Sequence, residues 1–538
     1  MENQQFNIGY QCSRAQCDSG KSEKIAMRFI KPGLSQIEDY SFRDLEEKSN
    51  RFANGLIYLG FSEGDIIFSL IPKMPETFFV FLGILKIKAI AGMLYSSFGD
   101  EALKDRLIEA NGVIVKKSQL KKIEKITNLL SKIKNIIVID LEEDRAPNFV
   151  SYQRLIEKSS AEYTCSITST NAPSVLHYTS GSTGKPKGVL HVHGSILEQT
   201  ESAVEVLKLN DQETYWCTAD QGWITGTSYG IIAPWSLGVT QIHYGGGFNP
   251  VDWFRILESQ QVSIWYTAPT ALRMLMQQPD DFFKEFDLSK LKYIFSVGEP
   301  LNPQVIDWSR RVLKHEIYDT WFQTETGSIM IANKPGQDIK SGSMGKPVSG
   351  ITVNILDEDQ ISVPVNSIGN LCIKKGWPSM FVDYLHNTDF YLTKFIGDYY
   401  YSGDQAYVDE EGYYWFIGRN DDVINTSGHL VSPFEVESAL LELSDVAESA
   451  VVGVPDDLLF EKVVAFIVLK TKQPLLPEFE IKMKLHILNR ISSLAVPTEI
   501  ICVDSIPKNK SGKIMRRVLK ATYLNKSPGD ISTMEDMN

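Results

Sequence analysis

A chain of 538 residues with 43% apolar and 22% charged residues has an ordinary globular composition, too long for one hydrophobic core and too apolar for a disordered chain. Fifty-four Lys and Arg stand against 67 Asp and Glu, a net charge of −13, which excludes a global positive field for nucleic acid or an acidic membrane surface. Six cysteines make no disulfide framework, and Cys12 and Cys17 fit neither a zinc knuckle nor a redox pair, so reduced thiols and a cytoplasmic location are expected.

The opening MENQQFNIGYQCSRAQCDSG has no basic segment followed by an apolar stretch, so no secretory leader is expected. Ser41–Leu59 carries Phe42, Leu45, Phe52 and Leu56 at helical spacing. Gly64–Ile71 reads as a short buried strand stopped by Pro72. Pro75–Ile90 predicts a second helix. The apolar run Thr77–Tyr95 is broken by Lys86 and Lys88, which makes it a buried helix leading to a strand, not a membrane span. Gly112–Lys116 and Ile136–Ile139 are short β-branched runs. Such alternation predicts an α/β fold with parallel, helix-covered sheets.

Tyr399–Gly418, dense in aromatics and turn residues, predicts antiparallel hairpins. Composition shifts at the charged stretch Arg419–Asp422. Beyond it Pro433–Leu443 and Phe479–Ser493 read as helices, with Ser449–Val454 and Val463–Leu469 as strands. We expect one large domain over 1–419 and a small one over 420–538.

The most informative string is Tyr178–Gly188, YTSGSTGKPKG. Its glycines let the backbone approach an anion with converging N–H groups, its hydroxyls donate to phosphate oxygens, and Lys185 and Lys187 add charge. A Walker A loop is excluded: only Ser182 and Thr183 separate Gly181 from Gly184, Pro186 follows Lys185, and Val189–Val192 reads as a strand where a helix should start. A flexible surface linker accounts poorly for the paired lysines.

Taken whole, the string resembles the signature of the adenylate-forming enzymes, the superfamily of acyl-CoA synthetases, peptide-synthetase adenylation domains and firefly luciferase. Further segments match that family in order: Val297–Pro300 (VGEP), Tyr318–Gly327 (YDTWFQTETG), Tyr401–Asp404 (YSGD), Gly418–Asp422 (GRNDD) and Pro507–Arg517 (PKNKSGKIMRR). Singly, Asp404 is a turn residue and Lys508–Lys520 a basic surface helix; together they cover the chain from about residue 35 onward. The strings DQGWITGTSY (220–229) and YTAPTALR (266–273) most resemble AMP-forming acetyl-CoA synthetases.

The resemblance implies a large N-terminal domain of α/β subdomains with parallel sheets and a β-barrel-like subdomain, then a small mobile α+β C-terminal domain. It implies a ligase that joins acetate to ATP, releasing pyrophosphate, and then passes the acetyl group from AMP to coenzyme A. Lys513 would bridge carboxylate and α-phosphate, with Glu325 and Arg419 as further catalytic groups. Nucleotide contacts would come from Thr179, Ser180, Gly181, Ser182, Thr183, Gly184 and Lys185, from Gly298, Glu299 and Pro300, from Asp319, Thr320, Trp321, Phe322, Gln323 and Thr324, and from Asp404 and Arg419. Mg²⁺ would sit near Thr183 and Glu325. Asp421 would be the hinge, Ser427 and Gly428 would flank the coenzyme A arm, and Trp223, Ile224, Thr225, Val297 and Phe322 would form the acyl pocket. Partners would be the small molecules acetate, ATP and coenzyme A, without nucleic acid or membrane; acetylating and deacetylating enzymes acting at Lys513 are an analogy, and oligomeric state is left open.

Two positions depart from the family pattern. Leu430 stands where acetyl-CoA synthetases carry an arginine on the phosphate side, and Phe322 and Ile224 replace tryptophan and valine in the acyl pocket. The alternatives are therefore a synthetase for propionate or another short acid, and a nucleotide-binding pseudoenzyme impaired by Leu430. Adenylation feeding a carrier protein finds no carrier segment in the sequence.

Overall fold

The computed structural model describes residues 5–96, 98–145, 148–179, 186–427, 429–456, 458–471, 475–509, 512–529, 531 and 534. Two sheets of mainly parallel strands dominate. In the first, Phe149–Ser151, Asn135–Val138, Gly112–Val115, Ile66–Ser69, Ile90–Met93 and Pro173–Thr179 run parallel. Lys187–Val192 and then Asp383–Tyr384 extend it antiparallel. In the second, Ile25–Ile30, Thr240–Tyr244, Thr214–Cys217, Ile264–Thr267, Tyr293–Val297 and Ile317–Trp321 form the parallel centre. The strands IIFS, GVIV and IWYT are buried at every position, as strands covered on both faces must be.

The helices follow the periodicity of the sequence. Phe42–Tyr58 begins at Ser41, whose hydroxyl accepts from the Asp44 N–H at 3.1 Å while the Asp44 carboxylate accepts from the Ser41 N–H at 2.8 Å, a reciprocal cap. Its Phe42, Leu45, Phe52 and Leu56 are fully buried. The following helix spans Pro75–Lys86, four residues shorter than expected. Lys88 adopts φ +59°, a left-handed turn that reverses the chain into Ile90–Met93. Lys86, which seemed to interrupt an apolar run, is 1% exposed and pairs with Glu46 at 2.5 Å and Asn50 at 2.6 Å. Ser13 donates to the same Glu46 at 2.7 Å, tying the short helical turns around it to this core.

The aromatic hairpin expected around 399–418 is present. Tyr399–Val408 pairs antiparallel with Tyr414–Arg419 and with Gly369–Lys374 in a five-stranded antiparallel sheet. The last sheet is built from Ile424–Thr426, His429–Val431, Val446–Asp456, Phe460–Leu469 and Glu499–Cys502. The two strands read separately at 449–454 and 463–469 are one long antiparallel hairpin, in register from Val446↔Leu469 to Asp456↔Phe460. Helices Pro433–Leu441 and Pro477–Arg490 pack on it. All six cysteines are free. Among the described residues no helix is long and apolar enough to cross a membrane.

Candidate active site

The central strands of the second sheet end at Cys217, Thr267, Val297 and Trp321. The carboxyl ends of parallel strands are where open α/β sheets bind ligands, and most of the expected site residues lie there. Val297 is in register with Thr320. Gly298, at φ +91°, then turns the chain outward in a conformation that side chains rarely adopt. Thr320 is fixed by the Tyr266 hydroxyl at 2.7 Å and the Ser296 carbonyl at 2.8 Å.

Asp404 is the most heavily committed group. It is 3% exposed and accepts from Trp321 Nε1 and Gln323 Nε2, each at 3.1 Å, with an Arg419 guanidinium nitrogen 3.3 Å away. Burial pushes its carboxyl above the ordinary carboxylate range against the pull of Arg419 and Lys513. Arg419 also reaches Asp421 at 3.8 Å. Gln323 in turn accepts from the Tyr400 hydroxyl at 2.9 Å, so the YSGD strand and the QTE turn are locked together. Glu325 receives the Tyr384 hydroxyl on one carboxylate oxygen at 2.8 Å, leaving the other uncommitted among the described residues. The Thr324 carbonyl accepts from His191 Nε2 at 2.8 Å.

Asp319 is 6% exposed, and burial raises its carboxyl to about 7 despite the Ser296 hydroxyl bonded to it. An unfolded aspartate ionises near about 3.9. Between those values the folded chain holds one proton more than the unfolded chain, so stability from this group falls as pH rises from about 4 to about 7. Asp319→Asn is therefore expected to flatten the decline of Tm between pH 5 and pH 8. A steeper decline in the variant, followed by thermal unfolding, contradicts this assignment.

The acyl-pocket residues come from two directions. Ile224 and Thr225 open a short helix, and Tyr229 on its continuation packs edge-on against Phe322 at 5.4 Å between ring centroids. Trp223 packs against Tyr95 at 5.3 Å. Ile224 also lies among Val175, His191 and Ser228 in the packed interior.

Lys513 does not stand on a helix. The plain basic surface helix that Lys508–Lys520 would make if taken singly is absent over most of that run, since the helix begins only at Arg516. The Asn509 N–H donates to the Lys513 carbonyl at 2.8 Å, and the Asn509 side chain accepts from the Lys513 N–H at 2.9 Å. Gly512, at φ +88°, brings its carbonyl to the Thr270 hydroxyl at 3.0 Å; a methyl group there would come within 2.8 Å of Thr270 Cβ. Thr270 and Arg273 both bond Glu299, the arginine at 2.5 Å. Lys513 shares a cleft with Arg273, Glu299, Pro300, Glu437 and Arg516. The side chain opens to solvent yet is surrounded by protein; that enclosure and then the Arg419 charge hold its ammonium below the ordinary lysine range, with Asp422 and Asp404 opposing.

Thr179 faces Lys187 in antiparallel register, so strands flank the glycine string on both sides. Ser180, Gly181, Ser182, Thr183, Gly184, Lys185 and Gly428 lie outside the described residues. Ser427, at φ +52°, bonds the Leu459 carbonyl at 2.7 Å within its own sheet. Leu430 is 44% exposed and pairs with Asn425.

Several residues escaped the sequence reading. Thr270 and Arg273 lie in YTAPTALR, which served only as a branch marker. Asn302 and Gln304 reach Ser438 across the sheets, at 2.8 and 3.1 Å. Tyr384 stands in a stretch without motif. Only Tyr384's buried phenol and Thr270's position after a strand end could have drawn notice.

A model of AMP-binding enzymes matches residues 14–385, and one of the AMP-binding enzyme C-terminal domain matches 435–513. The chain belongs to the AMP-binding enzyme family. The match begins at residue 14, upstream of the residue 35 from which the resemblance was expected to run, and Ser13 beside it is tied to the core through Glu46. The acetyl-coenzyme A synthetase of Bacillus subtilis (strain 168) is 43% identical over 535 residues, 99% of this chain and 93% of that one. That of Methanothrix thermoacetophila is 36% identical, covering 98% of this chain and 84% of its own. Among solved structures, the anthranilate CoA ligase AuaEII in complex with anthranoyl-AMP superposes with a TM-score of 0.87 at 28% identity, over 96% of this chain and 97% of that one. The family's two matched segments fall on either side of the aromatic hairpin.

Proposed function

We propose that this protein is an AMP-forming acetate–CoA ligase: acetate attacks the α-phosphorus of ATP to give acetyl-AMP and pyrophosphate, and the thiol of coenzyme A then displaces AMP. A carboxylate oxygen is a poor leaving group, and the mixed anhydride cures that. The observation that supports the reading is Lys513 in a turn whose Gly512 is bonded to Thr270, with Asp404 and Arg419 within its electrostatic range. A compact ammonium in that cleft offsets the repulsion between two anionic reactants. Asp404 is suited to the ribose hydroxyls, and the Val297–Pro300 and Trp321–Thr324 turns to the base. Positioning and electrostatics supply most of the rate; little proton transfer is needed.

Among the described residues no group of three or more His, Cys, Asp or Glu could hold a metal. That suits Mg²⁺ carried largely by phosphates and met by one carboxylate, for which the free oxygen of Glu325 fits, with Thr183 from the glycine string. Such an ion would balance charge on the departing pyrophosphate. For the thiol step, we assign Asp421 as the hinge about which the unit 420–538 turns away from 1–419, taking Lys513 out and bringing Ser427 and Gly428 to the coenzyme A arm. The free thiols support a reducing, cytoplasmic setting.

Acetate-dependent ATP–pyrophosphate exchange across C2 to C6 acids tests the reading. Exchange should be fastest with acetate, with propionate a real competitor because Phe322 is smaller than tryptophan and one methylene is worth only about 1–3 kcal/mol. A maximum at butyrate or beyond overturns the acetate assignment, and absence of exchange with every acid leaves the pseudoenzyme reading.

A further inference from the structure

A half-buried cation next to the nucleotide site has no assigned role. Lys394 follows the helix Thr388–Leu392, and its carbonyl accepts from the Tyr401 N–H at 2.9 Å, which fixes it beside the strand that carries Asp404. Its ammonium lies 5.1 Å from the ring centroid of Phe390. Lys187, the residue that resumes the chain after the glycine string, places its own ammonium 3.8 Å from the same ring. Phe390 packs on Tyr384 at 5.2 Å, and Tyr384 donates to Glu325. Two lysines thus flank one aromatic ring directly behind the carboxylate expected to meet the metal. Glu325, Asp421, Asp404 and Arg419 all lie within electrostatic range of Lys394.

Among the described residues Lys394 makes no ion pair. A partly desolvated ammonium without a bonded anion is costly, and the carboxylates around it face other groups: Asp404 accepts from Trp321 and Gln323 beside Arg419, Asp421 lies 3.8 Å from Arg419, and Glu325 accepts from Tyr384 on one oxygen, its other forming an ion pair with neither lysine. We infer that Lys394 is a phosphate-binding residue of the adenylation site, meeting the β,γ-phosphate end of ATP and the pyrophosphate that leaves it. The inference rests on the adenylate-forming reading above. The Phe390 ring attracts both ammonium groups, at 3.8 and 5.1 Å from its centroid.

The experiment compares Lys394→Met and Lys394→Arg with the unaltered full-length chain. Binding of AMP, of a non-hydrolysable ATP analogue and of pyrophosphate is measured by calorimetry, alongside exchange kinetics in ATP, pyrophosphate and acetate. For Lys394→Met we expect Kd for the ATP analogue and for pyrophosphate to rise at least about tenfold, the worth of one charge-assisted bond. AMP binding and the acetate KM should stay within about twofold, and Lys394→Arg should keep most of the wild-type affinity. Unchanged pyrophosphate and ATP-analogue binding overturns the inference, as does equal weakening of AMP and ATP analogue with a lowered Tm, the mark of a merely structural lysine. Failure of the unaltered protein to exchange pyrophosphate would instead remove the underlying reading.

Discussion

Lys513→Ala is expected to lower acetate-dependent pyrophosphate exchange by about a thousandfold or more while leaving thioester formation from supplied acetyl-AMP within a few-fold of wild type. The asymmetry follows from the two steps. In the first, two anions must meet in a cleft where water is sparse, and removing one preorganised donor from such a site costs about 10²–10³ in rate; here the group also carries a full charge. In the second, the acyl group is already activated and the attacking thiol is neutral until it transfers its proton, so the ammonium has little to neutralise. Lys513→Arg should not restore the first step, because a planar fork cannot replace a compact point charge in a turn fixed by Asn509. Measuring the half-reactions separately decides the matter: equal loss in both would show that Lys513 holds the fold together and does not bridge the reactants.

Asp404→Ala should be the second most damaging change, with kcat/KM for ATP falling by about a hundredfold. The side chain accepts from Trp321 and Gln323 and pairs electrostatically with Arg419. Removing it strands the half-buried Trp321 and Gln323 donors and leaves the guanidinium without the nearer of its two carboxylates, and losing a hydrogen bond to a charged group costs about 1.5–3 kcal/mol. Part of that loss falls on the fold, so Tm should drop as well. Asp404→Asn, which keeps an acceptor oxygen but not the charge, separates the contributions. It should preserve most of the Tm yet still bind ATP and AMP weakly, since a neutral amide is a poorer acceptor for ribose hydroxyls. An Asp404→Asn protein with wild-type AMP affinity would exclude the ribose role.

These experiments bear on different reaches of the same wall. In the proposed scheme Asp404 would act through the nucleoside that ATP and AMP share, Lys394 through phosphates that only ATP and pyrophosphate carry, and Lys513 through the step that joins acetate to AMP. A panel of AMP, ATP analogue and pyrophosphate therefore sorts the three variants without reference to overall turnover.

Much of this was written in short stretches of chain. The helix Phe42–Tyr58, with its cap at Ser41 and its buried face at Phe42, Leu45, Phe52 and Leu56, follows from residue spacing, because helical bonds join residues four apart. So do the β-branched runs of the parallel sheet, the flanking strands of the glycine string, and the ordered motifs that identify the chemistry. What only the tertiary structure decided is which distant groups meet. Lys86 interrupts an apolar run and is a buried partner of Glu46; Lys513 stands in a turn clasped by Asn509 against Thr270; the strands 446–456 and 460–469 pair with each other; and Lys394, outside every motif, sits with Lys187 on one aromatic ring. The physical reason is one of range: local spacing sets backbone conformation, whereas the surroundings of a charge depend on packing between segments dozens to hundreds of residues apart, which no short window contains.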